Sequence, residues 1–381
     1  MSPGPRIYCD YNATAPLRPE AKEAVVFALD STGNPSSVHA EGRKARALVE
    51  GARETVAAAI GACRDDIAFV SGGTEAVAVA LRGALQATGD AVLVASAIEH
   101  DAVASLVTSR DHWPVGSSGV VDLDWLRTHV TSLRKQGYRP LVSLMLVNNE
   151  TGVIQPVAEA AEIVHAAGGL IHCDAIQGLG KIEVSVIDLD VDYLSLSAHK
   201  IGGPQGMGAT YVKPNAPFVS IQKGGGQEFG RRAGTENVAG VAGFGAAVEA
   251  SLRDLPKYQA LAQHRDRMEA KLKASAPGLA IYGKAAPRVA GVSCFGVEGL
   301  ASETQVMGLD LAGFAVSAGS ACSSGKVKPS RVLTAMGFSE AEAKSAIRVS
   351  FGWASRPEDF DALAEAWIKM AARARPQLVS A

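Results

Sequence analysis

The feature that most restricts the fold of this 381-residue chain is the exchange, over residues 67–212, of short apolar runs with longer helical stretches. Strands are expected over 67–70, 91–95, 141–147, 170–173, 193–197 and 209–212. Between and before them lie helical patterns over 41–60, from Thr74 to about Leu85, over 125–133 and over 157–167. The first of these carries Ala45, Leu48, Val49, Ala52, Val56 and Ile60 on one face. Alternation of this kind predicts an α/β fold with a mostly parallel central sheet flanked by helices. After Asn237 the pattern changes. A helix runs through Ala250, breaks near Pro256 and resumes to Lys273, followed by strands over 289–295 and 346–351 and helices over 302–309 and 358–372. This reads as a smaller α+β domain, with the boundary in 252–258. The large domain is expected over 11–257 and the small one over 1–10 and 258–381.

Composition narrows the class. Hydrophobic residues are 47% and charged residues 20% of the chain, which excludes disordered, collagenous and coiled-coil architectures. A net charge of −2 offers no field to recruit nucleic acid or an anionic membrane. No apolar run approaches the roughly 18 residues of a membrane span, and residues 1–11 lack the apolar core of a secretory signal. A cytoplasmic location is therefore expected. The five cysteines (Cys9, Cys63, Cys173, Cys294 and Cys322) are scattered without CxxC spacing, unlike a disulfide framework or a zinc ribbon.

Three places in the large domain can carry chemistry. Ser71-Gly72-Gly73-Thr74 joins a strand to a helix, where free N–H groups and the helix dipole suit a phosphate; an ordinary turn with Thr74 near the N-cap is the alternative. Asp174 ends one strand and Lys200 follows another, at the strand ends where open α/β sheets bind ligands. Alone, Asp174 reads equally as a helix cap and Lys200 as a surface residue. Together the three supply what a pyridoxal phosphate enzyme needs: an anion site, an amine for the aldehyde and a carboxylate for the pyridine nitrogen. Grouping of His100, His172, Asp174 and His199 around a metal is the competing reading, but no compact metal-binding spacing supports it. In the small domain, Cys322 lies in a Gly/Ser stretch with nothing to bury it, which suits a reactive thiol. Arg348 sits between Ile347 and Val349 on a strand and calls for an anionic partner, either a structural carboxylate or a substrate's.

Blocks in order along the chain carry a resemblance. They are 8–14 (Tyr-Cys-Asp-Tyr-Asn-Ala-Thr), 33–37, 71–75, Glu99-His100, 148–152, 172–177, 197–200, 224–226, 232–235, 320–322 and Ile347-Arg348. With these the chain resembles the cysteine desulfurases of the NifS/IscS type, class V aminotransferases with the PLP-dependent transferase fold type I. The resemblance implies that Lys200 holds pyridoxal 5'-phosphate and shuttles protons, and that Asp174 binds the pyridine nitrogen. It places His100 on the ring as acid/base and Gln177 on the phenolic oxygen. Gly73, Thr74, Ser197 and His199 would hold the phosphate, joined by Thr235 from the second subunit of a homodimer. Arg348, Asn149 and Asn34 would bind the substrate carboxylate, and Cys322 would take the sulfur of L-cysteine as a persulfide, leaving L-alanine. About ten Gly/Ser-rich residues between a strand over 314–316 and a helix opening at Pro329 resemble the longer-loop group. That group passes sulfur to scaffold proteins for iron–sulfur cluster assembly and to other thio-cofactors. The chain ends at Ala381, soon after the last expected helix, without the longer tail by which housekeeping members dock the scaffold. Selenocysteine lyase, aminotransferase and non-catalytic readings leave Cys322, or the whole set with Lys200, Asp174 and His100, without a purpose.

Overall fold

A computed structural model describes residues 6–107, 112–318 and 329–378. Its strands are β1 (Ile7–Tyr8), β2 (Ile67–Val70), β3 (Ala91–Ser96), β4 (His112–Trp113), β5 (Arg139–Met145), β6 (Leu170–Asp174) and β7 (Tyr193–Ser197). They continue with β8 (Gly208–Val212), β9 (Ala280–Tyr282), β10 (Val292–Gly296), β11 (Phe314–Ala315), β12 (Ser317–Ala318) and β13 (Ala346–Ser350). Strands β2 to β8 form one sheet in the order β2-β8-β7-β6-β5-β3-β4. Only β8 runs against the others, so the sheet is mostly parallel, as the alternation of elements requires. Strands β6, β7 and β8 are buried along their whole length. Covered on both faces, they need no alternation of polar and apolar residues. The polar side chains they do carry are paired. His172 lies between Ser143 Oγ (2.9 Å) and Ser195 Oγ (2.8 Å), and burial drives its pKa down to about 3, so the ring stays neutral.

Helices α1 (Pro19–Leu29) and α2 (Ala40–Ala59) pack against the helix Val238–Arg253. Two glycines allow that approach: a Cβ on Gly243 would sit 2.5 Å from Val25 Cγ2, and one on Gly245 would sit 2.8 Å from Ala52 Cβ. Strands β9, β10, β12 and β13 form a second, antiparallel sheet in the order β12-β13-β10-β9, and β1 pairs in parallel with β11. The long helix Pro357–Ala374 lies over this part, with Trp367 buried against Phe295.

One ion pair anchors the segment between β8 and the helix Val238–Arg253. Arg53 of α2, 2% exposed, meets the Glu228 carboxylate, which also accepts from Phe69 N at 2.7 Å. Glu228 and Phe229 both adopt positive φ (51° and 55°), a conformation that non-glycine residues hold only under external constraint. Glu228→Ala removes the buried carboxylate from Arg53, leaving only the partly exposed Glu50 at 3.4 Å from its Nε, and is expected to cost about 3 kcal/mol. Urea unfolding of wild type and variant measures this, and a loss under ~1 kcal/mol contradicts it.

Candidate active site

The main sheet delivers its functional side chains at one end, because its parallel strands all finish there. Asp174 is the last residue of β6, and Ser197 is the last of β7, followed at once by the turn Ala198–Lys200. Asn149 follows β5. Gly73 and Thr74 open α3 (Gly73–Thr88) directly after β2, and His100 caps α4 (Asp101–Ala104) after β3, its Nδ1 accepting from Ala102 N at 3.1 Å. These residues, with Gln177 from the turn after β6 and Arg348 from β13, line one cavity of about 320 Å³. The sequence-predicted positions Gly73, Thr74, His100, Asn149, Asp174, Gln177, Ser197, His199, Lys200 and Arg348 thus come together. Asp174 starts no helix; its Oδ1 accepts from Ile176 N at 3.0 Å in a tight turn. Among the described residues no group of three or more His, Cys, Asp or Glu is placed to hold a metal ion.

Three expected residues are not in this cavity. Thr235 lines a separate, smaller space with Ser71, Gly206 and Arg232. Asn34 is exposed in the loop between α1 and α2, where its Oδ1 accepts from Ser36 N at 2.9 Å. Cys322 lies outside the described residues, as does its Gly/Ser stretch beyond Ala318. Ser330 caps the helix that follows, Arg331–Ala335, so that helix opens two residues later than the Pro329 start read from the sequence.

The lysine and amide groups of the cavity are tied together through Asn12. Lys200 Nζ donates to the carbonyls of Asn12 and Ala13, both at 2.7 Å. Asn12, unassigned from the sequence, is a hub. Its carbonyl also accepts from Gln177 Nε2 (3.0 Å), its Nδ2 donates to the Asn149 carbonyl (2.9 Å), and its Oδ1 accepts from Lys181 Nζ (2.6 Å). Lys181 is buried, its pKa is driven well down by desolvation and by nearby Lys200 and Arg348, and its Nζ also donates to Gln177 Oε1 at 2.5 Å. That bond orients the Gln177 amide so that its NH2, with one hydrogen on the Asn12 carbonyl, keeps the other to donate. The only sequence signal for Lys181 was its position four residues after Gln177. Burial raises the Asp174 pKa, countered by the Ile176 amide and by His100 and Lys200. Burial and Lys200 lower His199 to about 4, so it sits neutral, its Nδ1 3.2 Å from Thr14 Oγ1. Glu99, raised to about 8 by burial, fixes the turn before His100 through Ser96 Oγ and Met145 N, both at 2.7 Å.

Comparison with known proteins settles the family. The model of the family Aminotransferase class-V matches residues 7–363. The chain belongs to that family. A curated class-V relative, a cysteine desulfurase of Cereibacter sphaeroides, is 39% identical over 94% of this chain and 94% of its own length. The NifS-like protein of Rickettsia africae superposes with a TM-score of 0.86 at 31% identity, covering 96% of this chain and 99% of that one. A structure described as SspA in complex with cysteine superposes with a TM-score of 0.76 at 30% identity, over 90% and 98% of the two chains. The class-V fold expected from the sequence is therefore the fold of this chain, and the family depends on pyridoxal phosphate.

The cavity fits that cofactor on its own features. Ser197 Oγ is buried with no hydrogen-bond partner. Helix α3 starts at a glycine N-cap with no side-chain cap, which leaves its first-turn amides to an anion. A Cβ on Gly73 would lie 2.4 Å from Ile176 Cδ1 and 3.4 Å from Ser197 Cβ, so a side chain there would displace the Ile176 tip. A phosphate at this corner would satisfy the serine and the amides together, and a protonated ring nitrogen at Asp174 would give a buried carboxylate its cation.

Proposed function

We propose that this class-V enzyme is a cysteine desulfurase that removes sulfur from L-cysteine, releases L-alanine and carries the sulfur as a persulfide on Cys322. The observation that carries the reading is the single cavity in which Lys200, Asp174, His100 and Arg348 converge. Bound pyridoxal phosphate supplies an electron sink for charge developed at the substrate Cα. The chain's own residues do the rest. Lys200, whose amine the Asn12 and Ala13 carbonyls hold, would be the residue that holds the cofactor by its aldehyde and would move the Cα proton. Asp174 would keep the ring nitrogen protonated, and the second N–H of the Gln177 amide, oriented by Lys181, would donate to the phenolic oxygen. His100 would hold the ring from its place in the cavity and serve as acid/base. Thr74, Ser197 and His199 hold the phosphate with the amide of Gly73, completed by Thr235 from the second copy of a homodimer. Arg348 and Asn149, with Asn34, bind the substrate carboxylate.

In the transfer itself the Cys322 thiolate attacks the substrate sulfur. An S–S bond forms as Cβ–S breaks, the electron pair stays on carbon, and protonation there gives the alanine methyl. No external oxidant is needed. The sulfur then passes to an acceptor protein, such as an iron–sulfur scaffold, in the cytoplasm. We also read the chain as two domains divided near residue 257, with Arg348 and Cys322 supplied by the smaller. Incubation of the holoenzyme with L-cysteine and a thiol reductant tests the activity: L-alanine and sulfide should appear in equal amounts. Pyruvate and ammonia in place of alanine mark a β-lyase and overturn the reading.

A further inference from the structure

Arg348 is held by a residue to which no role attaches in the reading above. Segment 9–12 runs beside β13, with Ser350 N bonded to Cys9 O (2.8 Å), Tyr11 N to Ser350 O (3.1 Å) and Asn12 N to Ser350 Oγ (2.9 Å). This places Asp10 over the cross-strand pair of Ser317 in β12 and Arg348 in β13. The Asp10 carboxylate spans the pair: Oδ1 accepts from Arg348 Nη2 at 2.7 Å and Oδ2 from Ser317 Oγ at 2.7 Å. On the other side Arg348 Nη1 donates to the Asn149 carbonyl at 3.1 Å. A guanidinium has five N–H donors in a rigid plane. Here Nε and one hydrogen on each Nη remain, and Nε is buried with no partner.

We propose that Asp10 is a positioning residue for substrate: it sets the plane of Arg348 so that the guanidinium hydrogens left unused on the cavity side receive the α-carboxylate of L-cysteine. This rests on the desulfurase reading only for the identity of the substrate. Two features distinguish the arrangement from a simple buried ion pair. The arginine lines the cavity while the aspartate does not. The second carboxylate oxygen is taken by a serine from the strand opposite Arg348, so the carboxylate cannot swing away from one partner without losing the other. In the absence of substrate, Asp10 supplies the countercharge for an arginine that is 4% exposed. When substrate binds, the two carboxylates share one guanidinium through different edges, a planar two-sided use that a lysine could not provide.

The test uses the holoenzyme and two binding measurements. L-alanine, the non-reacting product, is titrated against the visible absorption of the bound cofactor to give a Kd, and L-cysteine turnover gives KM and kcat. Asp10→Asn keeps the shape of the side chain but removes the charge. It should raise the Kd for L-alanine and the KM for L-cysteine by about tenfold, with kcat changed less than about threefold, since the lost contact serves substrate and transition state alike. Ser317→Ala should shift the same two constants in the same direction by a smaller factor, and the double variant should be no weaker than Asp10→Asn alone. A Kd within twofold of wild type in Asp10→Asn overturns the proposal. So does an unchanged KM accompanied by a fall in cofactor occupancy or melting temperature, which marks a purely structural pair. If wild type makes no alanine from L-cysteine, the desulfurase reading falls, while the L-alanine titration still decides the role of Asp10.

Discussion

Lys200→Ala protein should lose L-alanine production by about a thousandfold or more, the scale expected when one group supplies both the covalent hold and the proton transfers. It should keep its fold and much of its affinity for the cofactor. The amine makes its two contacts to backbone carbonyls of Asn12 and Ala13, and Asn12 stays fixed by Gln177, Lys181 and Ser350. The phosphate corner at Gly73 and Ser197 and the Asp174 carboxylate are untouched. Cofactor should therefore copurify, with an altered visible spectrum because the covalent bond to the chain is gone. Thermal melting, absorption and alanine release together check this. A variant that retains a tenth of wild-type turnover would contradict the assignment, because such a loss fits a positioning residue better than the group that bonds the aldehyde.

Cys322→Ser should be as damaging to turnover while leaving cofactor and substrate binding in place. A serine hydroxyl is not ionised near neutral pH and is a poor acceptor for sulfur, whereas a thiolate is a strong one. The other cysteines offer no substitute. Cys9, Cys173 and Cys294 are fully buried, and burial pushes each thiol well above its usual range, so none supplies thiolate near pH 7. Cys63 is exposed but precedes β2, at the end of the sheet opposite Asp174 and Ser197. L-cysteine should still perturb the cofactor spectrum of the serine variant, because Arg348 and Asn149 are intact, while alanine should fall below ~0.1% of the wild-type rate. Persistent alanine release would mean that a free thiol in solution, and not Cys322, accepts the sulfur.

The central sheet was legible because its strands are covered on both faces. Ile67–Val70 and Tyr193–Ser197 agree with their expected limits to the residue. Helix α1 was missed for a physical reason. Val26, Phe27 and Leu29 are exposed, so its apolar residues do not mark the buried face that a periodicity argument needs. Strand β10 starts at Val292 and not at 289, since Val289 N is spent on the Gly152 carbonyl in an irregular segment. The three-residue β9 and the two-residue pair of β1 with β11 are too short to leave a pattern. At the site, residues that lie beside a strand end in sequence were found and those reaching in from afar were not. Asn12 meets Lys181 across 169 positions, and Asp10 meets Arg348 across 338. The anionic partner demanded by Arg348 was foreseen as a need, but nothing local in the sequence singles out Asp10.

The most direct test of the account is peptide-level mass spectrometry of Cys322 after the holoenzyme is mixed with L-cysteine and trapped by alkylation, with Lys200→Ala alongside. The account predicts one added sulfur on Cys322 in wild type, none on Cys9, Cys63, Cys173 or Cys294, and none anywhere in the variant. An unmodified Cys322 in wild-type protein that carries its cofactor and consumes L-cysteine would contradict it, and would leave the same cavity to a reaction in which the enzyme never holds the sulfur.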